Sequence, residues 1–271
     1  MDEKLYEHHI YEDENFPIIF HTQHLHSTYN FISHWHPNIE LLCFYEGKCK
    51  IIIDTETYDA EPGDIILIPS NSLHRIISLT PVSSYYCLIA DQNYFEPFGL
   101  IWNNNFINRK IKDTSLCASF NLISNEFTSK NLYYKPCILS ETLRTLTHIM
   151  RYHTTDENLS LTSIQASRIE TIKKVLSFIN AHYTENISID ALADLSGFSK
   201  YHFCHIFKDA TGITVTHYIN SVRCRKAKEL LKKGKCNVSE AASRCGFSNL
   251  SYFTRTYLKF NGELPSKTFK S

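Results

Sequence analysis

Four side chains in the first third of the chain have the types and spacing of a ligand set for a divalent metal ion. His34 and His36 are two residues apart, Glu40 follows four residues later, and His74 lies beyond a turn that contains Gly and Pro. Residues two apart on a strand point to the same face, so both imidazoles and the carboxylate would share one face. This His/Glu cluster, defined as His34, His36, Glu40 and His74, could hold Zn²⁺, Fe²⁺, Mn²⁺ or Ni²⁺.

Short apolar runs separated by turn residues would position this cluster. The runs extend over residues 39–45, 51–53, 65–68 and 85–90. Such runs, rich in Ile and aromatic residues, predict antiparallel strands of a β-sandwich or barrel rather than helices. We expect His74 to come from a strand next to the one that carries Glu40.

In order and spacing, the cluster together with Gly47, Gly63 and Pro69 resembles the two cupin motifs, which implies a cupin-like β-barrel. Asn71 and Ser78 depart from these motifs, which usually have Gly and Asn at the two positions. Three interpretations remain: a site for a small polar effector such as a sugar, a divalent metal site, and a purely structural polar cluster. We favour effector binding by the cluster, with no cofactor required.

The formal net charge of zero results from two halves of opposite sign. Residues 1–169 contain 12 Lys and Arg against 20 Asp and Glu, whereas residues 170–271 contain 16 against 8. A basic half points to a polyanionic partner, of which nucleic acid is one class. The length of 271 residues suggests two domains.

Neither a membrane span nor a secretory signal is expected from the sequence. No apolar run approaches the roughly 18 residues that a bilayer span requires, and the first residues lack a basic segment followed by an apolar one. The nine Cys are never spaced as C-x-x-C, which argues against a disulfide framework or a thiolate zinc site. We therefore expect a cytoplasmic protein without a membrane partner.

A helical region is expected between the strands and the basic half. Leu139, Leu143, Leu146 and Met150 recur at helical spacing and form one apolar stripe, which could pack on the strand domain or form the seam of a homodimer. Polar residues rich in Ser and Thr follow and predict a linker. The expected divisions are a cupin-like effector-sensing barrel (1–105), a helical dimerisation or packing region (106–160), a linker (161–168) and a helical DNA-binding domain (169–271).

The basic half contains two copies of one helical unit. Its pattern of a small residue, a turn Gly and an apolar residue is typical of a helix-turn-helix, and the repeat indicates two such units. Ser188 and Ser199 are the predicted N-caps of the two helices in the first copy. Ala193, Gly197, Phe198 and Ser199 recur 49 residues later as Ala242, Gly246, Phe247 and Ser248, and Phe203, His205, Phe207 and Gly212 recur 50 residues later as Phe253, Arg255, Tyr257 and Gly262.

Residues 170–271 resemble the DNA-binding domain of the AraC/XylS family of bacterial transcription factors. A cupin-like N-terminal domain is common in that family. The resemblance implies a regulator that binds double-stranded promoter DNA and, if it is an activator, RNA polymerase; Arg223 matches a family position that anchors packing. The residues that carry the resemblance include Gly246-Phe247-Ser248, Tyr252-Phe253, Arg255 and Gly262-x-x-Pro265-Ser266, whereas His205, Val215 and Leu258 depart from the residues usual in the family.

The second helix of each helix-turn-helix would enter the major groove, where its first residues reach base edges. Arg255 is the strongest candidate, because Arg can bond bidentately to guanine. The predicted DNA-binding residues are Lys200, Tyr201, Cys204 and His205 in the first copy and Asn249, Leu250, Ser251 and Arg255 in the second.

The predicted fold is therefore an N-terminal antiparallel β-barrel with helices, followed by an all-α domain in which a linker helix joins two helix-turn-helix motifs. The predicted function is sequence-specific transcriptional regulation in response to a small-molecule effector, without enzymatic activity and as a homodimer. One alternative is a metal-dependent cupin enzyme with an accessory DNA-binding domain. Another is a nucleoid-type protein that binds DNA without sequence preference. The duplicated basic unit favours the regulator.

Overall fold

The computed structural model describes residues 16–26, 33–100, 102, 106–234 and 236–270. Part of the predicted barrel region, namely residues 1–15, 27–32, 101 and 103–105, lies outside the described residues. The chain divides into two compact units between Gln165 and Ala166. No helix in the described part of the chain is long and apolar enough to cross a membrane.

Within the described residues, the first unit contains two antiparallel sheets. The larger sheet has the strand order β1-β7-β2-β5-β8 and the smaller has the order β4-β3-β6. The predicted antiparallel β domain is confirmed, although the strands form two sheets rather than one closed barrel. The strands are β1 (Ile18–His26), β2 (Ile39–Glu46), β3 (Cys49–Ile53), β4 (Glu56–Ala60), β5 (Asp64–Ile68), β6 (His74–Ser78), β7 (Val82–Ala90) and β8 (Lys110–Lys112).

Gly47 marks the point where the chain leaves the larger sheet for the smaller one. Its φ of +74° is a conformation that favours glycine, and a Cβ added there would lie 2.4 Å from the carbonyl oxygen of Val82. A side chain at this turn would therefore collide with backbone. The turn directs β3 away from β2, so that β3 pairs with β4 and β6 instead.

Strand β2 is covered on both faces, which explains its continuous apolar sequence. Leu41 and Cys43 pack into the core that the large sheet shares with the helices. Leu42 and Phe44 pack into a second core with residues of the small sheet. Because alternate residues share a face, Glu40 lies on the side of β2 that Leu42 and Phe44 occupy, facing the small sheet.

Among its described residues, the first unit also has three α-helices: α1 (Gln92–Phe95), followed by a 3₁₀ turn (Glu96–Phe98), α2 (Thr114–Ser129) and α3 (Tyr134–Tyr152). The predicted apolar stripe lies on α3. Leu146 is buried, while Leu139, Leu143 and Met150 are half-buried against the same core. The stripe thus packs within its own unit, and its role as a dimer seam stays a prediction.

The second unit is helical in its described residues. Residues 163–168, which belong to the predicted linker 161–168, form the first turns of α4. Ser188 caps α5 as predicted, by accepting from the N–H of Ala191; Ser199 occupies the N-cap position of α6 but its side chain makes no capping hydrogen bond. The helices are α4 (Ser163–His182), α5 (Ile189–Ser196), α6 (Lys200–Thr211), α7 (Val215–Lys232), α8 (Val238–Arg244), α9 (Leu250–Asn261) and α10 (Pro265–Lys270).

The predicted repeat is present as two equivalent turns, α5 to α6 and α8 to α9. Gly197 and Gly246 have φ values of +70° and +80°, and in both copies the next residue donates its N–H to the carbonyl five residues back. This is the hydrogen bond of a Schellman helix end. The distances are 3.3 Å from Phe198 N to Ala193 O and 3.0 Å from Phe247 N to Ala242 O.

Helix α7 connects the two copies and holds both by specific contacts. The ring of Tyr218 on α7 packs edge-on against Phe207 of α6, and Asn220 of α7 donates to the hydroxyl of Tyr252 in α9 at 2.7 Å. Arg223 of α7 donates from Nε to the carbonyl of Tyr183 at 2.8 Å and from Nη2 to that of Glu185 at 2.7 Å. The helix therefore positions α6 and α9 through side chains from one continuous element.

The two turn glycines provide a matched test of this packing. Gly246→Ala would place a Cβ 2.7 Å from the carbonyl oxygen of Tyr183, whereas Gly197→Ala would meet nothing within 4 Å. Both changes incur the left-handed backbone cost of about 1–2 kcal/mol, and only Gly246→Ala adds a steric clash. We expect Gly246→Ala to lower the free energy of unfolding of the full chain more than Gly197→Ala, measured by far-UV circular dichroism in urea. Equal losses would contradict the packing described for Gly246.

Candidate functional site

The structure brings the four residues of the His/Glu cluster together between the two sheets. Glu40 lies on β2 of the large sheet, His74 begins β6 of the small sheet, and His34 forms an isolated antiparallel bridge with His74. The candidate ligand atoms of the four side chains all lie within 4.8 Å of one another. The predicted convergence of these residues is therefore found in the structure.

The route to this convergence differs from the expected one. His34 and His36 lie before β2 and not on a regular strand, so strand alternation does not align their rings. Backbone hydrogen bonds hold the segment instead: His34 and His74 exchange N–H···O bonds at 3.0 and 2.9 Å, and the N–H of Asn71 donates to the carbonyl of His36 at 2.8 Å. These bonds fix the segment to the start of β6.

The Glu40 carboxylate is the centre of the cluster. Its Oε2 lies 3.0 Å from Nε2 of His36 and 3.0 Å from Nε2 of His74, and its Oε1 accepts the Sγ–H of Cys87 at 3.0 Å. Glu40, His36 and His74 are almost fully buried, with exposed fractions of 5%, 1% and 1%. His34 is half-buried and is the most exposed member of the cluster.

Burial and charge act in opposite directions on this group. Burial alone would raise the pKa of Glu40, but the contacts with His36 and His74 outweigh it and hold this pKa well below its usual value. Burial alone would lower the pKa of His74, but the contact with Glu40 outweighs it and raises this pKa. The carboxylate is therefore ionised and attracts positive charge to the point where the imidazoles meet.

Backbone carbonyls determine which ring nitrogen of each histidine faces Glu40. Nδ1 of His36 lies 3.0 Å from the carbonyl oxygen of Asn38, and Nδ1 of His74 lies 2.9 Å from that of Ser72. A carbonyl oxygen only accepts, so each Nδ1 carries a proton and each Nε2 is turned toward the carboxylate. Histidines that bind metal through Nε2 are oriented in the same way by a carbonyl on Nδ1.

One further observation, at Nε2 of His74, indicates that the side chains of the His/Glu cluster fit a divalent cation. Nε2 of His74 is 3.0 Å from Oε2 of Glu40, yet within the described residues it makes no hydrogen bond of acceptable geometry. In the neutral form of His74, this buried ring nitrogen can offer its lone pair to a metal, with His36 and Glu40 beside it and His34 nearby. The same nitrogens and carboxylate can also bind hydroxyl groups of a polar ligand.

The two departures from the cupin motifs leave the site intact. Asn71 has φ +60°, a conformation that Asn tolerates better than most residues, so it can replace Gly there. Ser78 is buried, and its Oγ bonds the hydroxyl of Ser83 and the carbonyl of Thr80, each at 2.8 Å. Ser78, the last residue of β6, thus bonds to the turn that leads to β7 and is not part of the cluster.

Cys87 was not predicted as a member of the site. It lies on β7 in the apolar run 85–90, where a lone Cys is more often a packing residue. Strand alternation within that run could place Cys87 on the same face as Ile89 and Tyr85. Only the pairing of β7 with β2 shows that this face carries Glu40.

The predicted DNA-binding residues of the first copy begin α6. Tyr201 is 85% exposed, and Lys200 and His205 are also exposed, while Cys204 is half-buried. Lys200 forms an ion pair with Asp190 at 3.0 Å, and His205 lies 3.5 Å from Asp209. The Lys200–Asp190 ion pair is solvent-exposed, so DNA phosphates can compete for Lys200 at little cost.

The predicted residues of the second copy lie at the corresponding place on α9. Leu250, Ser251 and Arg255 are exposed, whereas Asn249 is the N-cap of α9, its side chain accepting from the N–H of Tyr252 at 2.8 Å. Asn249 therefore has a structural role, with its side-chain NH₂ group still available. Arg255 occupies the position that His205 occupies in α6.

Two family models match the chain. One, described as an AraC-like ligand binding domain, matches residues 16–106, and the other, described as a helix-turn-helix domain, matches residues 192–271. The first model includes the whole His/Glu cluster. The second includes both predicted recognition helices.

Curated relatives match over most of the chain or over its second unit. The uncharacterised helix-turn-helix-type transcriptional regulator YbfI of Bacillus subtilis is 25% identical over 82% of this chain and 81% of its own length. The Msm operon regulatory protein of Streptococcus mutans is 24% identical over 82% of this chain and 80% of its own length. The helix-turn-helix-type transcriptional activator RhaS of Escherichia coli is 30% identical over 40% of this chain and 37% of its own length.

Glu40→Gln tests the buried carboxylate as the centre of the cluster. The change removes the negative charge and leaves two buried imidazoles without their partner, which should lower the free energy of unfolding of the first unit by about 3–5 kcal/mol. Trp35 and Trp102, the chain's two tryptophans, lie in this unit, so their fluorescence reports its unfolding in urea. Chelator is present throughout.

The control is Glu61→Gln, because Glu61 is half-exposed and makes only surface ion pairs with Lys48 and Lys112; we expect a change within about 0.5 kcal/mol. The lowered pKa of Glu40 and the raised pKa of His74 set the pH dependence. Their stabilisation is fully present between about pH 5 and 6.5, and decreases as the pH rises through the raised His74 pKa or falls through the lowered Glu40 pKa. Equal stability of both variants at pH 6 would refute this role for Glu40.

Proposed function

The chain belongs to the AraC family of DNA-binding transcriptional regulators, and we propose that α6 and α9 read its promoters while the His/Glu cluster receives its effector. The family establishes a ligand-binding first unit and a DNA-binding second unit. We propose which residues perform these two roles. The DNA-binding role and the effector-binding role are supported by separate structural observations.

One observation carries the DNA-binding part: two equivalent helix-turn-helix units expose corresponding faces and share α7. Eighteen residues of α7 span about 27 Å. Major grooves on one face of B-DNA recur about every 34 Å. A continuous helix of this length suits two recognition helices that enter successive grooves.

The exposed side chains of α6 and α9 supply three kinds of DNA contact. Arg255 suits a bidentate bond to guanine or a grip on phosphate, and Lys200 suits phosphate. The exposed apolar side chain of Leu250 suits the methyl group of thymine. We also assign Tyr201, Cys204, His205, Asn249 and Ser251 to this surface.

The His/Glu cluster is proposed to bind a small polar effector, with a sugar as one candidate class. Its buried ionised carboxylate accepts hydrogen bonds from hydroxyl groups, and half-buried His34 is the member that incoming solutes can reach first. A divalent cation is the second candidate, with His34, His36, Glu40 and His74 as its ligands. When bound there, the cation would supply a Lewis-acidic point for an oxygen of the effector.

Further proposals concern assembly and context. We propose that the protein is not an enzyme, that it acts as a homodimer, and that it works in the bacterial cytoplasm, where promoter DNA is located. The relative RhaS is named as an activator, which supports activation and hence contact with RNA polymerase. Two subunits would present four helix-turn-helix units and increase the affinity for paired sites.

Arg255→Ala tests the DNA-reading surface. The loss of one bidentate contact of roughly 1–3 kcal/mol should weaken specific binding about 5- to 150-fold. Binding is measured by fluorescence anisotropy on a sequence selected in vitro with the wild-type protein. The control is Arg151→Ala, because Arg151 is exposed at the end of α3 and its removal changes the net charge equally; we expect less than about a twofold effect. An unchanged footprint of Arg255→Ala would remove this assignment.

A ligand screen tests the effector proposal. Sugars and divalent metal salts are added to the full chain, and the thermal unfolding midpoint is followed through tryptophan fluorescence. A ligand at 100 times its Kd should stabilise the first unit by about 2.7 kcal/mol. For a sugar, His74→Ala should abolish this shift, whereas His24→Ala, a change on β1 outside the cluster, should preserve it. A sugar-induced shift that survives His74→Ala would place the effector elsewhere.

A further inference from the structure

A second group of titratable side chains lies in the first unit, outside the His/Glu cluster. Asp113 precedes α2, His148 lies near the end of α3, and His153 is the residue at which α3 ends. Oδ2 of Asp113 is 2.9 Å from Nε2 of His148 and 3.0 Å from Nε2 of His153. We propose that Asp113, His148 and His153 form a zinc site.

The carboxylate is held in place before any ion binds. Oδ1 of Asp113 caps α2, accepting from the N–H groups of Ser115 and Leu116 at 2.8 and 3.2 Å and from the Ser115 hydroxyl at 2.7 Å. These donors engage Oδ1 and leave Oδ2 to the imidazoles. Burial alone would raise the pKa of Asp113, but the hydrogen bonds from Ser115, His153, His148 and Leu116 outweigh it and lower this pKa.

Backbone bonds also fix His153, and His148 lies within α3. The N–H of His153 donates to Ile149 within α3, and its carbonyl accepts from Asn108 at 2.9 Å. Thr154 and Ile107 form an isolated antiparallel bridge directly beyond. Backbone hydrogen bonds thus connect the residues that follow α3 to the residues that precede β8. Such fixed elements satisfy the requirement of a preorganised metal site.

The distances suit a tetrahedral ion with an open position. Ligands placed 2.0–2.1 Å from Zn²⁺ in a tetrahedron are about 3.3 Å apart. The two Nε2–Oδ2 separations are a few tenths of an ångström shorter, and all candidate ligand atoms lie within 4.8 Å of one another. The side chains of the three residues are 19–24% exposed. An ion can therefore enter from solvent, and water can fill the fourth position.

The chemistry of the set favours zinc over calcium or magnesium. Two imidazole nitrogens and one carboxylate are borderline ligands, whereas Ca²⁺ and Mg²⁺ prefer oxygen alone. The ion would connect the start of α2 with the end of α3. Its occupancy would therefore stabilise the helical part of the first unit, independently of the His/Glu cluster.

Bound zinc is counted on the full chain after removal of metal with chelator and equilibrium dialysis against zinc alone. Asp113→Asn retains an oxygen that can cap α2 but removes the anionic ligand, and His148→Ala removes one imidazole. Each variant should bind about one zinc fewer per chain than the wild type. Both retain the His/Glu cluster, so the difference reports only the second site.

The control is His182→Ala, since His182 is a partly exposed histidine that contacts one carboxylate, Glu185, at 2.9 Å. It should bind as much zinc as the wild type. Cobalt provides a second readout: the visible absorption of tetrahedral Co²⁺ should decrease in Asp113→Asn and persist in His182→Ala. A full complement of zinc in either Asp113→Asn or His148→Ala would overturn the site. The measurement needs no DNA, so its failure leaves the regulatory function untouched.

Discussion

The geometry of the second unit depends on the hydrogen bonds that the guanidinium of Arg223 donates. This guanidinium projects from α7 and donates to the carbonyls of Tyr183 and Glu185, in the turn that precedes α5. Gly246, in the turn of the second copy, packs against the same carbonyl region so closely that no side chain fits. The connection between α4 and α5, helix α7 and the turn between α8 and α9 therefore lie against one another. Arg223 bonds α7 to that connection, and Gly246 allows the turn to approach it because it has no side chain. The resemblance to a family position had predicted a packing role for Arg223, and the observed bonds agree with that role.

The first unit depends on a different constraint, the ionised carboxylate of Glu40 between two sheets. A buried carboxylate is unfavourable unless positive or hydrogen-bonding groups surround it. Here His36, His74 and Cys87 surround it, and carbonyls orient both rings toward it. Such a cluster stays sensitive to anything that supplies or removes positive charge. This property suits a receptor for a cation or a polar effector, and the family match places a ligand-binding domain over these residues.

Local patterns in the sequence were sufficient for much of this architecture. The apolar runs predicted β2, β3, β5 and β7; β5 is buried along its whole length and β2 over its first six residues, whereas buried and half-buried residues alternate in β3. The 49- and 50-residue offsets predicted two equivalent turns. Strands such as β4, with several polar residues, gave weaker signals. The separation into two sheets depends on the turn at Gly47, which leaves no room for a side chain. The cluster residues were found from their spacing, yet their convergence arises from backbone pairing before β2, and Cys87 joins through a distant strand. Asp113 lies 35 and 40 residues before His148 and His153 in the sequence. No short sequence motif therefore predicts this group.

The proposed reading of DNA requires α7 to hold α6 and α9 at the spacing of successive major grooves. This requirement is tested most directly by changing the DNA and leaving the protein intact. In a high-affinity site, the segments protected by the two helix-turn-helix units are mapped, and about 5 bp, half a helical turn, are inserted between them. We expect specific affinity to fall to that of a single half-site, because the second helix would then face the wrong side of the duplex. Unchanged affinity and protection of both segments after the insertion would contradict a rigid connection.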